Sequence, residues 1–91
     1  MNKVIWKYEF GKNNLIEIGM PIGAEILTVQ TQQENPCIWA LVDPEQKEEE
    51  RVFEIFGTGH PIHYDMGIGR NYLGTFQLHG GSLVFHVFER L

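Results

Sequence analysis

The feature that most constrains the fold is an alternation of apolar and polar side chains with a period of two residues. In this segment one face carries Lys7 and Glu9, and the other face is formed by Val4, Trp6, Tyr8 and Phe10. This is the period of a β-strand with one buried face, because successive side chains of a strand point to opposite sides. The pattern therefore predicts a strand at the start of the chain.

Similar segments recur along the chain between groups of turn-forming residues. The predicted strands cover residues 4–10, 15–20, 25–32, 37–42, 51–56, 72–78 and 83–89. Residues 11–14 and 79–82 are predicted to be hairpin turns, because Gly and Asn accept positive φ. Residues 37–42 contain no polar side chain, which is typical of a central strand covered on both faces. Residues 45–50 are predicted to be a charged loop or a single helical turn capped by Asp43.

Seven short strands separated by turns define the expected fold class. They predict one mainly β domain over residues 1–91, with little helix, built as a small antiparallel sandwich or a partly open barrel. A chain of 91 residues accommodates one domain. No internal repeat or linker divides it.

The net charge of the chain argues against one class of partner, the nucleic-acid polymers. The chain carries a net charge of −5, and an acidic surface repels the phosphates of DNA and RNA. A single small nucleotide in a local pocket is still compatible, because a pocket needs only a few donors.

There is one cysteine, Cys37, so no internal disulfide forms and a reducing cytoplasm is the expected compartment. No apolar stretch has the length of a membrane span, so no membrane association is expected.

The longest predicted connection, residues 57–71, is the strongest candidate for a binding site. It is rich in glycine and much longer than a typical connection, and long loops on a rigid scaffold often carry binding residues. A plain surface loop is the competing interpretation. The candidate ligand-binding residues within it are Thr58, Gly59, His60, His63, Tyr64 and Arg70.

Each of these candidates has a chemical role in the hypothesis. Thr58, Gly59 and His60 supply backbone and side-chain donors, since exposed N–H groups of glycine-rich turns form anion-binding nests. Arg70 pairs with a phosphate, and Tyr64 stacks on a base. His63 stacks on the base or hydrogen-bonds the sugar.

Trp39 completes the set of candidate ligand-binding residues. Trp39 and Trp6 are expected first as core anchors, because aromatic side chains dominate the cores of small domains. If either lies at the mouth of a pocket, it can stack on an adenine ring. Trp39 is therefore included as a candidate for ligand stacking.

The sequence contains no recognisable catalytic motif. Ser82 lies in a Gly-Gly-Ser turn and not in a nucleophile elbow, and Cys37 is predicted to face the core. His60, His63 and His79 are candidate ligands of a metal, but hydrogen-bonded or surface histidines are the favoured interpretation. The prediction is a protein that is not an enzyme, with no catalytic residue, metal site or cofactor assigned.

Three stretches resemble a family of small phage and prophage proteins of unknown function. They are residues 38–44 (IWALVDP), 56–62 (FGTGHPI) and 73–89 (LGTFQLHGGSLVFHVFE), together with the opening residues 5–8 (IWKY). The resemblance covers nearly the whole chain and transfers no catalytic residue. By analogy, the chain also resembles phage proteins that act as sponges for nucleotide signals of host defence.

The leading hypothesis is a phage-encoded, non-catalytic protein that sequesters a small nucleotide-type immune signal, such as a cyclic nucleotide or an ADP-ribose derivative. It would act in the cytoplasm of the bacterial host as a dimer or higher homo-oligomer, which covers the edges of a small sheet. Two alternatives remain. One is a protein-binding inhibitor or accessory structural protein of the particle, and the other is a small metal-dependent β-barrel enzyme.

Overall fold

The architecture is that of two antiparallel β-sheets. The computed structural model describes residues 2–11, 13–62 and 69–91. Seven strands lie in these ranges: β1 (Val4–Glu9), β2 (Leu15–Pro21), β3 (Glu25–Gln32), β4 (Asn35–Val42), β5 (Glu48–Gly57), β6 (Arg70–Leu78) and β7 (Leu83–Arg90). A short 3₁₀ turn at His79–Gly81 joins the last two strands, and the described residues contain no α-helix. The mainly β prediction with about seven strands and little helix is confirmed.

The strands divide into one sheet of three and one of four. The order is β1-β4-β3 in the first sheet and β2-β5-β7-β6 in the second. All observed pairings are antiparallel. The two sheets do not close into a barrel, which agrees with the small sandwich rather than the partly open barrel.

The first predicted hairpin is wrong. β1 and β2 are consecutive in sequence, but β1 pairs with β4 and β2 pairs with β5. Residues 11–14, of which Lys12 lies outside the described residues, therefore connect the two sheets instead of forming a hairpin turn. The hairpins β3–β4 and β6–β7 do form, with Gln32 opposite Asn35 and Leu78 opposite Leu83.

The core is built by the alternation that the sequence shows. Many inward-facing side chains of both sheets are buried, and burial of an apolar side chain of this size contributes roughly 1.5–3 kcal/mol. The edge strand β1 is an exception, because Val4 and Trp6 share a face with buried Val42 and Ala40 but are exposed. Phe53 and Val87 are fully buried on the four-stranded sheet, as are Ile38 and Val42 on the three-stranded sheet. The cluster comprises Phe10, Met20, Ala24, Val29, Ile38, Ala40, Val42, Phe53, Ile55, Phe76 and Val87.

One side of the sandwich is closed where the edge strands β3 and β6 meet. A Cβ atom on Gly74 would lie 3.2 Å from the Cβ of Val29, which is a tight contact, so the backbone of β6 approaches β3 closely at this point. Both strands are irregular, with register shifts between Ile26 and Thr28 and between Tyr72 and Gly74. Bulges of this kind bend an edge strand and increase its twist, which helps the two edges meet.

Two further details correct the sequence prediction. Residues 48–50 belong to β5 and not to a loop, because they pair with Gly19, Met20 and Pro21 of β2. Asp43 does cap a turn, since its Oδ1 accepts a 3.1 Å hydrogen bond from the Glu45 N–H. The strand predicted to be covered on both faces, β4, is buried on its inner face, but its outer residues Trp39 and Leu41 are half-exposed.

Candidate ligand-binding site

A cavity of about 280 Å³ opens at one end of the sandwich. It lies between the β1–β2 connection, the β3–β4 turn and the β6–β7 turn, three segments that are far apart in sequence. Its apolar wall contains Phe10, Pro36, Ile55, Phe76, Leu78, Leu83 and Phe85, and its polar rim contains Asn13, Asn14, Glu34, Asn35 and His79. A mostly apolar recess with a few convergent polar groups is the usual form of a small-molecule site.

Three phenylalanines form the floor of this end cavity. Phe76 and Phe85 are direct partners in the β6–β7 ladder, and their rings stack with centroids 5.4 Å apart. Phe10 meets Phe76 edge-on at 5.7 Å. Offset-stacked and edge-to-face arrangements are both favourable for aromatic rings. Phe10 and Phe76 are each 6% exposed and belong to the core, so Phe85 is the more accessible ring of the three.

The rim is held by a hydrogen bond between two hairpins. The Glu34 carboxylate, on the β3–β4 turn, accepts a 3.3 Å hydrogen bond from the backbone N–H of His79 on the β6–β7 turn. Gln33, Glu34 and His79 all have positive φ, of 50°, 66° and 51°. Residues other than Gly and Asn rarely adopt this backbone conformation. The strain is retained where the two turns meet at the cavity, which makes the rim a candidate functional feature.

A second recess, also of about 280 Å³, lies on the outer side of the four-stranded sheet. It is lined by Asn14, Leu15, Glu54, Ile55, Phe56, His60, Pro61 and Arg90. We call it the histidine cleft. Asn14 and Ile55 line both the end cavity and the histidine cleft, so the two recesses share lining residues near the start of β2.

The charged centre of this outer face is Glu54. Its residue is 7% exposed, and its carboxylate accepts hydrogen bonds from Arg70 Nε at 2.7 Å and Arg90 Nη2 at 3.3 Å. Burial alone raises the pKa of Glu54, but the hydrogen bonds and charges of Arg70 and Arg90 outweigh it and lower the pKa below its usual range. Glu54 is therefore a buried carboxylate held ionised by two guanidinium groups.

A chain of hydroxyl and imidazole groups runs beside the ion cluster. The Thr58 hydroxyl contacts His86 Nε2 at 2.7 Å, and the Thr75 hydroxyl contacts His86 Nδ1 at 2.9 Å. Tyr72 extends the chain through a hydrogen bond to the Thr75 hydroxyl. Both ring nitrogens of His86 are thus engaged, which fixes the orientation of the imidazole.

The structure brings together part of the predicted site. Thr58, Gly59 and His60 follow the end of β5, and Arg70 begins β6, so all four border the outer face of the four-stranded sheet. His60 lines the histidine cleft, and its predicted contact with a ligand stays a prediction. The Arg70 guanidinium is directed at Glu54. The predicted roles of Thr58 and Arg70 as ligand contacts are not tested by these intramolecular bonds.

The other predicted residues are elsewhere. His63 and Tyr64 lie outside the described residues. Trp39 lies on β4 of the three-stranded sheet, half-exposed on its outer face, and lines neither recess. Trp6 is 39% exposed on β1, so the expectation that the tryptophans anchor the core is wrong for Trp6.

The histidines that the sequence offered as metal ligands, where the structure describes them, line two different recesses. His79 is on the rim of the end cavity, and His60 lines the histidine cleft. Within residues 2–11, 13–62 and 69–91, no three His, Cys, Asp or Glu side chains are grouped in a way that would hold a metal ion.

The sequence reasoning missed the end cavity. Its lining comes from three turns that converge only in the folded chain, whereas the sequence directed attention to the single long connection. One signal was present: the β3–β4 turn has Gln33-Glu34 where a two-residue hairpin favours Asn-Gly. A turn built from unfavoured residues indicates a role for their side chains.

Fold and site together define the class of protein: a small two-sheet antiparallel β-domain with an apolar end cavity. The chain belongs to the family DUF7352, a domain of unknown function, whose family model matches residues 1–91. Neither a curated protein nor a solved structure matches the chain. Among the described residues no helix is long and apolar enough to cross a membrane.

Proposed function

We propose that this domain binds a small nucleotide-type ligand without altering it, with the base in the end cavity and the anionic part toward the histidine cleft. The observation that carries the proposal is that two recesses of different character share the lining residues Asn14 and Ile55. One recess is aromatic and apolar, and the other carries His60 and Arg90. A nucleotide has the same division into a planar ring and an anionic end.

The end cavity suits a heterocyclic base. Phe85 is the more accessible ring of its floor and is packed against Phe76, which in turn contacts Phe10, and aromatic rings favour a planar aromatic partner. Asn13 and Asn35 on the rim each carry an amide with donors and an acceptor. An amide can match the mixed donor and acceptor edge of a base, which a purely charged rim cannot.

The histidine cleft suits the anionic part of the ligand. His60 is exposed at its mouth, and the side chain of Arg90 is 34% exposed while its Nε lies 3.0 Å from Glu54. A guanidinium has several N–H donors, so it can bond a carboxylate and a ligand oxygen together. Local donors suffice here although the whole chain carries a charge of −5.

Binding without catalysis is favoured by the polar groups that line the end cavity. Its described lining has three amides, the Glu34 carboxylate that accepts from the His79 N–H, and His79 itself. No serine, threonine or cysteine nucleophile is among these lining residues. We extend the proposal to sequestration of a nucleotide signal of host defence in a phage-infected cell, which the motif resemblance to small phage proteins supports.

Titration calorimetry with a panel of nucleosides, mononucleotides, cyclic dinucleotides and ADP-ribose derivatives tests the proposal. Asn35→Ala should weaken every bound member of the panel by about tenfold, the loss of one hydrogen bond. His60→Ala should weaken nucleotides and leave the matching nucleoside unchanged. Asn2→Ala is the matched control, because Asn2 is exposed and lines neither recess.

The same titrations can also reject the proposed binding function. If no member binds at high protein concentration, nucleotide binding is rejected. If a ligand binds but Asn35→Ala has no effect, binding occurs outside the end cavity and the proposed site is wrong. Recovery of the ligand unchanged after incubation separates sequestration from turnover.

A further inference from the structure

The edge strand β1 carries three consecutive exposed apolar side chains. Val4, Ile5 and Trp6 are 40%, 60% and 39% exposed, and these consecutive residues cover both faces of the strand. Within the described part of the chain, β1 pairs only with β4. On its other side, alternate residues of β1 present backbone N–H and C=O groups that can pair with another strand.

The three other sheet edges are less suited to pairing. β3 and β6 carry register shifts, and they approach each other through Val29 and Gly74. β2 ends in Pro21, and Glu17 lies close enough to Glu50 to raise the pKa of that carboxyl group, through their hydrogen bond and like charge. A second copy of the same acidic edge would be repelled. β1 is paired with β4 without a register shift and contains no proline.

The charges along β1, together with the length of the pairing, favour one arrangement of two copies. In an antiparallel pair around a two-fold axis, directly opposite residues lie on the same face. A pair centred on Trp6 places Lys3 opposite the partner's Glu9, and does so twice by symmetry. A pair centred on Ile5 places Lys3 opposite the partner's Lys7, and a pair centred on Lys7 places that lysine opposite itself. A pair centred on Tyr8 also places opposite charges together, Lys7 against the partner's Glu9, but it pairs only residues 7–9 of the two β1 strands with each other.

We propose that two copies of this chain associate through β1, in the register centred on Trp6. The three-stranded sheets join into one continuous sheet of six strands, in the order β3-β4-β1 followed by the partner's β1-β4-β3. Val4 then lies opposite the partner's Tyr8, and Ile5 lies against the aliphatic part of the partner's Lys7. The two Trp6 rings meet at the axis, where aromatic cross-strand pairs are favourable.

The test is a charge swap measured by sedimentation equilibrium over a wide range of protein concentration. Lys3→Glu places like charges opposite each other twice, so the dimer dissociation constant should rise by about tenfold or more. Glu9→Lys should do the same. The double variant Lys3→Glu/Glu9→Lys restores opposite charges and should return the constant to near the wild-type value. Lys47→Glu, an exposed lysine on the β4–β5 turn, is the control for net charge.

Each outcome decides the proposal. A wild-type protein that stays monomeric at the highest concentration overturns it. So does a dimer whose dissociation constant is unchanged by Lys3→Glu, or a double variant no tighter than the single ones, because another surface is then responsible. Hydrogen exchange should also show the amides of residues 4–9 more protected at dimer-forming concentrations. The proposal does not depend on ligand binding, since the monomeric Lys3→Glu variant can be titrated with the same panel.

Discussion

Glu54 offers the sharpest test of how the outer face of the four-stranded sheet is stabilised. Replacing it with Gln keeps the shape of the side chain but leaves Arg70 and Arg90 without the carboxylate they share. Removing one member of a buried ion pair costs about 3–5 kcal/mol. The Arg90 side chain is 34% exposed, so water recovers part of its loss. We therefore expect Glu54→Gln to lower the free energy of unfolding by about 3 kcal/mol.

The assay is urea unfolding with a thermal melt in parallel. For a domain of this size, a loss of about 3 kcal/mol corresponds to a fall of about 12–24 °C in Tm. Glu45→Gln is the control, because Glu45 is an exposed carboxylate on the turn after β4. A Glu54→Gln variant within about 0.5 kcal/mol of the wild type would refute the reasoning, since that is the effect of an ordinary surface substitution.

The loss of stability in Glu54→Gln relative to the wild type should depend on pH. The pKa of Glu54 is lowered in the folded protein, so its contribution to stability is complete above the unfolded glutamate pKa of about 4.3. The contribution is lost as the pH falls through the lower, folded pKa. The difference in unfolding free energy between wild type and Glu54→Gln should therefore be constant from neutral pH down to about 4.3 and shrink as the pH falls from there through the lower, folded pKa. A difference that grows on acidification would contradict the assignment.

Two other substitutions test the packing of the sheets. Tyr8→Phe should raise the free energy of unfolding by about 1 kcal/mol, because the Tyr8 hydroxyl is buried with no hydrogen-bond partner among the described residues. Tyr72→Phe is its control, since that hydroxyl bonds Thr75 and its removal should bring no gain; equal effects in urea unfolding would count against the argument. Gly74→Ala should lower the free energy by about 1–3 kcal/mol, because the new methyl group meets buried Val29. Gly11→Ala has open space and should change the urea midpoint little; a Gly74→Ala protein as stable as that control would show that the two edges separate freely.

The sequence was informative where alternation alone decides structure. The bounds of β3 (Glu25–Gln32) follow directly from its pattern and its flanking turns. The start of β5 does not, because Glu48, Glu49 and Glu50 extend the strand only through pairing with β2. No local pattern marks three consecutive glutamates as strand, and the partner strand lies about 30 residues earlier in the chain.

The candidate site was also predictable only in part, because it depends on which strands and turns become neighbours in the fold. The glycine-rich connection drew attention to His60, which lines a recess on the outer face of the four-stranded sheet, and its role in binding stays a prediction. The ion pair between Arg70 and Glu54 depends on β5 and β6 both lying beside β7, which is a matter of topology. The end cavity likewise requires three distant turns to meet. Periodicity reports which face of a strand is buried, but it does not report which strands are neighbours.

The pairing of β1 with β4 has a consequence for how the chain acquires its structure. The first strand finds its partner only after two further strands and their turns have been made, so the amino-terminal segment cannot hydrogen-bond into its sheet early during synthesis. Contacts between distant residues slow folding, since loop closure precedes any gain from pairing. The hairpin β3–β4 is the local unit in this sheet and is the natural template onto which the amino-terminal strand docks last.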